Sequence, residues 1–233
     1  MNGSISALLS LRRPGRARAF VALTGAAFLA CWLLFPPAKA ACGCVFLLGL
    51  IGAACIDLDH MIIPDLFTIG LAFAGLALSA IAPGLHEPGP FSIFNCLRSE
   101  AASVLGLAIG SSLVLWFGLM AEFVLGKEVL GFGDVKFVGA IGAFCGWQGA
   151  VFSVFGGAVI GLIALSLAAL HGRASARGSA PLFRLETPEG RTARVGWGVH
   201  FPFGPMLATA AGLYFVALHP WVDRYLARYL VLF

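Results

Sequence analysis

Long apolar segments follow one another through almost the whole chain, each about 15 to 24 residues long. A helix needs about 20 residues to cross the hydrocarbon core of a bilayer. Lipid offers no partners to backbone polar groups, so spanning segments are helices or barrel strands, and long runs without polar alternation favour helices. Since 60% of the 233 residues are hydrophobic and only 11% are charged, the composition excludes a soluble globular protein. The sequence therefore predicts an all-α, polytopic membrane bundle.

Seven spans are predicted, and the last is followed by a tail that contains Trp, Tyr and Arg. The spans cover approximately residues 19–35, 41–56, 66–83, 101–122, 135–147, 150–171 and 203–218, and the tail covers 221–233. The composition of the tail is typical of an interfacial or short terminal helix, so we expect about seven to eight helices. Residues 1–18 form a basic N-terminus, and residues 19–233 form a single transmembrane domain with a polar loop at 172–200.

The distribution of basic residues predicts the orientation of these spans. With the N-terminus inside, eleven of the fifteen Lys and Arg residues lie on the cytoplasmic side and four on the other side. The four are Lys39, Arg98, Arg224 and Arg228. The first span also resembles a signal peptide, with an A-x-A sequence at 38–40, and we interpret it as a retained helix.

The net charge of +4 follows from this topology, and we expect no nucleic-acid partner because aromatic residues do not interleave with the basic ones. Six cysteines lie mostly inside apolar segments, where they behave as small hydrophobic residues. We therefore expect no disulfide framework, no zinc site and no cofactor.

Two short acidic motifs lie at the predicted inner ends of spans. The first is I-D-L-D-H-M-I-I-P-D at 56–65, and the second is G-F-G-D-V-K at 131–136. An aspartate at membrane depth costs about 2.5 to 3.5 kcal/mol at a helix centre, so its presence suggests a function. Two facing aspartates share one proton, so that one activates water while the other polarises a carbonyl group.

The same motifs are also compatible with structural roles. Asp65 would cap the third helix while Asp57 and Asp59 are solvated, and Asp134 would be an N-cap after a flexible turn. A metal site of Asp57, Asp59, His60 and Asp65 is a weaker alternative. Gly131 and Gly133 would allow close backbone approach or positive φ beside Asp134.

Taken together, the two motifs resemble those of the type IV prepilin peptidases, which are polytopic aspartic proteases of the G-x-G-D type. The resemblance covers roughly residues 41–218 and includes F-P-F-G-P at 201–205. It implies that Asp57 and Asp134 are catalytic. It also implies supporting or substrate-binding roles for a further set, which we list as Asp59, Asp65, Gly131, Gly133, Lys136, Pro202, Gly204 and Pro205. Lys136 would bias the charge of the site or, as we prefer, reach the membrane interface.

The resemblance also implies the substrate and the compartment. The substrate would be a type IV prepilin or a pseudopilin of type II secretion, with a basic leader and an apolar helix, cut at the cytoplasmic face of a bacterial inner membrane. Longer members of the family carry two C-x-x-C pairs and a methyltransferase activity. Here the cysteine motif is C-G-C at 42–44, so we expect a short form without the zinc-binding region, in which methyl transfer is doubtful.

Two other classes remain open at this point. A proton-coupled transporter also uses intramembrane aspartates and broken helices, although its acids lie at the midplane and its halves form an inverted repeat. A structural subunit of a pilus or secretion machine needs no aspartate pair. The segment at 201–205 either lines a substrate groove, which we favour, or starts the seventh helix with Pro205 in its first turn.

Overall fold

The computed structural model describes residues 14–86, 91–126, 130–175 and 203–230, and all regular elements within these ranges are helical. The α-helices are α1 (Pro14–Leu34), α2 (Pro37–His60), α3 (Leu71–Ile81), α4 (Ile93–Leu125), α5 (Phe132–Ser175), α6 (Gly204–Leu213) and α7 (His219–Leu230). Shorter elements are the π-helical turns Leu66–Gly70 and Tyr214–Leu218 and the 3₁₀ turn Pro83–Leu85. The prediction of an all-α bundle is confirmed. Residues 1–13 and 176–202, which hold most of the basic N-terminus and the polar loop, lie outside the described residues.

Four helical segments are long and apolar enough to cross a membrane: Pro37–His60, Ile93–Leu125, Phe132–Leu167 and Gly204–Leu226. Two shorter apolar helices cover Phe20–Leu34 and Leu66–Ile81. These are the helices of an integral membrane protein. The count of seven or eight crossings stays a prediction.

Helix α5 changes direction at Gly146, where φ is 69° and ψ is −179°. Before this residue, α5 runs antiparallel to α4, because Gly106 contacts Gly142 while Gly110 contacts Val138. After it, the two helices run in the same direction, because Gly110 approaches Ala150 and the ring of Phe117 lies 6.2 Å from that of Phe155. The chain therefore folds back at Gly146, between the predicted spans 135–147 and 150–171. A residue with a side chain adopts this backbone conformation only with strain.

The fold-back is held by side chains from other elements. In a straight helix the carbonyl of Ala143 would accept the N–H four residues later, beyond the break. Instead it accepts hydrogen bonds from Ser103 Oγ at 2.7 Å and from His86 Nε2 at 3.1 Å. Close to these residues, Phe46 stacks on Phe144 with ring centroids 4.8 Å apart, which anchors α2 to the first half of α5.

Helix α4 begins at Ile93, eight residues before the predicted start at 101. The charges of Arg98 and Glu100 interrupt the apolar pattern, and this is why the sequence places the boundary later. In the structure Glu100 is half-buried beside α3, and its Oε2 accepts a hydrogen bond from Ser79 Oγ at 2.6 Å. At the other end, Gly126 has φ 66° and its N–H bonds to Glu122, which ends α4.

Candidate active site

Asp57 lies in the last turn of α2, and only 5% of its surface is exposed. The helix ends three residues later at His60, where Met61 adopts a left-handed conformation and donates its N–H to the carbonyl of Asp57. Asp57 Oδ2 accepts a hydrogen bond from the backbone N–H of Gly204 at 3.0 Å. This bond orients the carboxyl group and connects α2 with α6.

Gly204 is the first residue of α6, and its N–H has no partner within that helix. A helix N-terminus is a favourable place for a carboxylate because several N–H groups point outwards. A Cβ atom on Gly204 would lie 2.7 Å from Asp57 Oδ2 and 3.1 Å from Ile63 Cδ1. Only glycine at this position leaves the carboxyl group of Asp57 where it is.

Asp134 is the third residue of α5 and is half-buried. Its N–H bonds to the carbonyl of Gly131 at 3.0 Å, so the chain turns tightly into the helix. Its carboxyl group lies close enough to that of Asp57 for the two groups to interact electrostatically. The alternative in which Asp134 is an N-cap is wrong, because the helix begins two residues earlier, at Phe132.

Gly131 and Gly133 do not adopt positive φ, which is one of the two uses that the sequence suggests for them. Among the described glycines, positive φ occurs at Gly126 and Gly146, not beside Asp134. A Cβ on Gly131 would lie 3.9 Å from Asp134 Oδ2, and one on Gly133 would lie 3.8 Å from Ile63, which are ordinary contacts. The packing therefore does not require glycine at either position.

An ion pair joins the two acidic motifs. Lys136 Nζ lies 2.8 Å from Asp65 Oδ1, and it also lies 5.3 Å from the ring centroid of Phe132. The side chain of Asp65 is 69% exposed and that of Lys136 is 31% exposed. The capping role considered for Asp65 is wrong, since its side chain makes no cap hydrogen bond to the following helix. Lys136 binds Asp65, and neither of its two predicted roles anticipates this pairing.

The remaining predicted site residues lie around this centre. Asp59 is half-buried in the last turn of α2. Pro205 is buried in the first turn of α6, as the helix-start interpretation of residues 201–205 predicts. Pro202 lies outside the described residues. In the part of the chain that the structure describes, no three His, Cys, Asp or Glu side chains converge in the way that metal ligands do.

Sequence reasoning missed two features of the site. It did not identify the N–H of Gly204 as the partner of Asp57, and it did not predict contact of Ile63 with that glycine and with Gly133. The acids lie at the ends of their helices and not at mid-helix. This placement differs from the midplane site that is typical of a transporter.

Comparison with known proteins gives one family match and several relatives. Residues 44–166 match the model of the type IV leader peptidase family, which is described as Peptidase_A24. The chain is 34% identical over 143 residues to a prepilin leader peptidase/N-methyltransferase of Pectobacterium carotovorum subsp. carotovorum, covering 60% of this chain and 46% of that protein.

Two further relatives carry the same name. The protein from Stutzerimonas stutzeri is 29% identical over 184 residues, and the one from Pseudomonas aeruginosa is 31% identical over 188 residues. Each match covers 78% of this chain and 50% of the relative. The chain therefore spans about half of the length of these relatives. No solved structure matches it.

Proposed function

The chain belongs to the type IV leader peptidase family, and on this premise we propose that it is a membrane-embedded aspartic endopeptidase that removes the basic leader from prepilin-like precursors. One observation carries the mechanistic part of this proposal. Asp57 and Asp134, which are 77 positions apart in the sequence, lie at the same end of the bundle, and their carboxyl groups are close enough to interact electrostatically.

The proposed reaction uses the two carboxyl groups as base and acid. Asp57 receives an N–H hydrogen bond from Gly204, which stabilises negative charge on its oxygen, so we assign to it the role of base. Asp57 takes a proton from water as the water oxygen adds to the peptide carbonyl carbon, and Asp134 donates its proton to the carbonyl oxygen. When the tetrahedral intermediate collapses, the peptide C–N bond breaks, the leaving nitrogen takes up the proton held by Asp57, and Asp134 recovers its proton from the hydroxyl group that becomes the new carbonyl oxygen.

The two glycines beside Asp134 support access of a peptide to this pair. Gly131 is exposed, and neither it nor Gly133 carries a side chain that would block the approach of a backbone. Ile62 and Phe132, which flank the site, are 66% and 64% exposed and offer an apolar surface to the helix of a precursor. A substrate whose basic leader meets its apolar helix near the peptide bond to be cut fits this combination.

We further propose that the site faces the cytoplasm in a bacterial inner membrane, with the N-terminus on the same side. The excess of Lys and Arg that the sequence assigns to that side supports this orientation. The structure also separates the predicted outer cations Lys39 and Arg98 from the aspartates, since both line a cavity at the other end of the bundle.

The test compares membranes that contain the parent protein, Asp57→Asn or Asp134→Asn, each incubated with a prepilin-like precursor. Leader removal is followed by mass shift. We expect cleavage by the parent, and at least a 1,000-fold lower rate for each variant, roughly the loss seen when a catalytic proton donor or acceptor is removed. Glu100→Gln, which removes a half-buried charge at the other end of the bundle, is the matched control and should cleave normally.

Protein levels in the membrane must be equal for this comparison. Cleavage that survives either aspartate substitution would refute the two-aspartate mechanism. Absence of cleavage by the parent with all such precursors would refute the proposed substrate class.

A further inference from the structure

A cavity of about 400 Å³ lies at the end of the bundle opposite to the aspartates. Its lining includes the charged or polar side chains Lys39, His86, Arg98, Gln148, His219 and Asp223. Lys39 and Asp57 both belong to α2, and at a rise of 1.5 Å per residue they are about 27 Å apart along the helix axis. Because of this distance, the cavity is separate from the proposed catalytic centre. Its volume lies within the range of small-molecule sites.

Two cations from different helices face this cavity. Lys39 lies in the first turn of α2, and Arg98 lies in the second turn of α4. Among the described residues neither has a carboxylate oxygen within ion-pair distance. Lys39 lies 5.5 Å from the ring centroid of Phe35, and Arg98 lies 5.5 Å from that of Phe94. Both retain their N–H donors for a ligand.

Among the described residues that line the cavity, Asp223 carries the one carboxylate, and it is already engaged. Tyr214 donates its hydroxyl to Asp223 Oδ1 at 2.6 Å. With Lys39, Arg98 and Asp223 ionised, these described lining residues carry a net charge of +1. This charge matches a ligand with one negative charge better than a dianion.

Two histidines add polarity to the cavity. Burial lowers the pKa of His86 from 6.5 to about 4, so this ring is neutral at pH 7, and its Nε2 donates to the carbonyl of Ala143. The Nδ1 atom of His219 is buried without a hydrogen-bond partner among the described residues. Such an atom is unfavourable unless a ligand or water satisfies it.

We propose that this cavity binds a monoanionic phosphodiester group, with its oxygens accepting hydrogen bonds from Lys39 and Arg98. The guanidinium of Arg98 provides a planar pair of donors that fits two phosphate oxygens, and Lys39 provides a compact charge. Because the cavity lies about 27 Å from Asp57 along α2, close to the thickness of a bilayer core, a phospholipid headgroup is one source of this group. A soluble glycerophosphodiester is the other source.

The test is lipid binding by the purified full chain in detergent, measured by native mass spectrometry. The probes are phosphatidylethanolamine and diacylglycerol, which differ in the phosphodiester headgroup, and glycerophosphoethanolamine serves as a soluble competitor. We expect one phosphatidylethanolamine to be retained and diacylglycerol not to be retained. Competition at equal concentration would show that the phosphodiester alone is recognised, whereas weak competition would identify a lipid as the ligand.

Substitutions in the cavity provide the second half of the test. Arg98→Gln and Lys39→Met should each weaken retention about tenfold, because each removes a charged donor. Arg228→Gln, which removes an exposed cation from α7 outside the cavity, is the matched control and should bind like the parent. Arg98 is exposed, so its substitution keeps the fold, which circular dichroism checks. Equal retention by all variants, or equal binding of diacylglycerol, would overturn the proposal.

Discussion

The two ends of the bundle are connected in different ways. At the aspartate end, two connections between the motifs involve ionisable side chains: Asp57 accepts the N–H of Gly204, and Asp65 pairs with Lys136. The Asp65 side chain is largely exposed to solvent. A connection of this kind depends on charge and adds little stability.

At the opposite end, packed rings and neutral hydrogen bonds connect the helices. The ring of Phe46 stacks on Phe144 and also lies 5.3 Å from that of Phe215. Ser103 and His86 both bind the carbonyl of Ala143 at the fold-back of α5. The comparison indicates that this end holds the helices together, while the aspartate end is free to meet a substrate. Substitutions at the two ends should therefore affect different properties.

The largest effect is expected from Gly106→Ala, where α4 crosses the first half of α5. A Cβ on this residue would collide with the backbone carbonyl of Gly142 and lie 2.8 Å from the carbonyl carbon of Gly146. Backbone cannot move aside as a flexible side chain does, so we expect a loss of about 3 kcal/mol in unfolding free energy. Thermal denaturation in detergent measures this loss.

The matched control is Gly25→Ala in α1, where a Cβ has nothing within 4 Å. It should leave the melting temperature unchanged or raise it, because alanine favours a helix by about 0.5 to 1 kcal/mol over glycine. Similar melting temperatures for the two variants would show that the crossing of α4 and α5 does not hold this end together.

The next effect is a pH dependence of stability that originates from His86. Its pKa is about 4 in the folded protein because burial disfavours the charged ring, against 6.5 for the ordinary group. Between these values the unfolded chain binds more protons at this residue. The contribution of His86 to the free energy of unfolding is therefore fully present above pH 6.5 and is lost as the pH decreases towards 4. The loss from this residue is about 2 to 3 kcal/mol at the acid end.

The variant His86→Asn should flatten this acid limb when unfolding is measured from pH 7.5 to 4.5. Asparagine retains a hydrogen-bond donor for Ala143 but has no charge to gain. His60→Asn, on an exposed histidine at the aspartate end, is the control and should keep the slope of the parent. If the parent and His86→Asn lose stability equally with acid, the contribution of His86 is refuted.

At the aspartate end, Gly204→Ala should reduce activity and not stability. The added methyl group would displace the Asp57 carboxyl group, to which it would come within 2.7 Å. Misplacement of a reacting group costs about 1.4 to 2 kcal/mol of barrier, which corresponds to a 10- to 30-fold lower cleavage rate. Initial rates of leader removal and melting temperatures are measured on the same preparations.

Gly212→Ala in the same helix is the matched control, because its Cβ would meet only Leu47 at an ordinary distance of 3.6 Å. It should cleave at the rate of the parent. Equal rates for Gly204→Ala and Gly212→Ala would show that the position of Asp57 is not critical for catalysis. A large fall in melting temperature for Gly204→Ala would instead contradict the difference between the two ends.

The sequence predicts which elements form better than it predicts what they touch. Apolar length alone identifies α2, and the polar interruption near residue 148 separates the segments that fold back at Gly146. The positions of Asp57 and Asp134 at the ends of spans also follow from hydropathy. These features depend on local composition, which a single sequence contains.

Contacts between distant segments do not follow in the same way. The hydrogen bond between Asp57 and Gly204 joins positions 147 residues apart, and no spacing rule relates them. The pairing of Asp65 with Lys136 likewise depends on how two helices are placed side by side. Positive φ, one of the two alternatives considered for Gly131 and Gly133, is not found there, because a glycine permits positive φ but does not require it.

The smallest effect is expected from the ion pair of Asp65 and Lys136, and a double-mutant cycle with Asp65→Asn and Lys136→Gln measures it. Their coupling in stability should be below about 1 kcal/mol, because the pair is exposed. If the pair positions α5 beside α2, each single variant should lower the cleavage rate by about two- to fivefold, or 0.4 to 1 kcal/mol, with the double variant no slower than either.

Lys136→Arg preserves the charge and is the control that should retain most of the rate. Additive losses in the double variant would mean that Asp65 and Lys136 act separately, for instance on a basic leader and on the charge of Asp134. A stability coupling as large as the loss expected for Gly106→Ala would contradict the difference between the two ends. The aspartate end would then contribute as much to stability as the end that carries the fold-back. If Asp65 and Lys136 form a positioning contact at the aspartate end, their coupling should appear in the cleavage rate and not in the melting temperature.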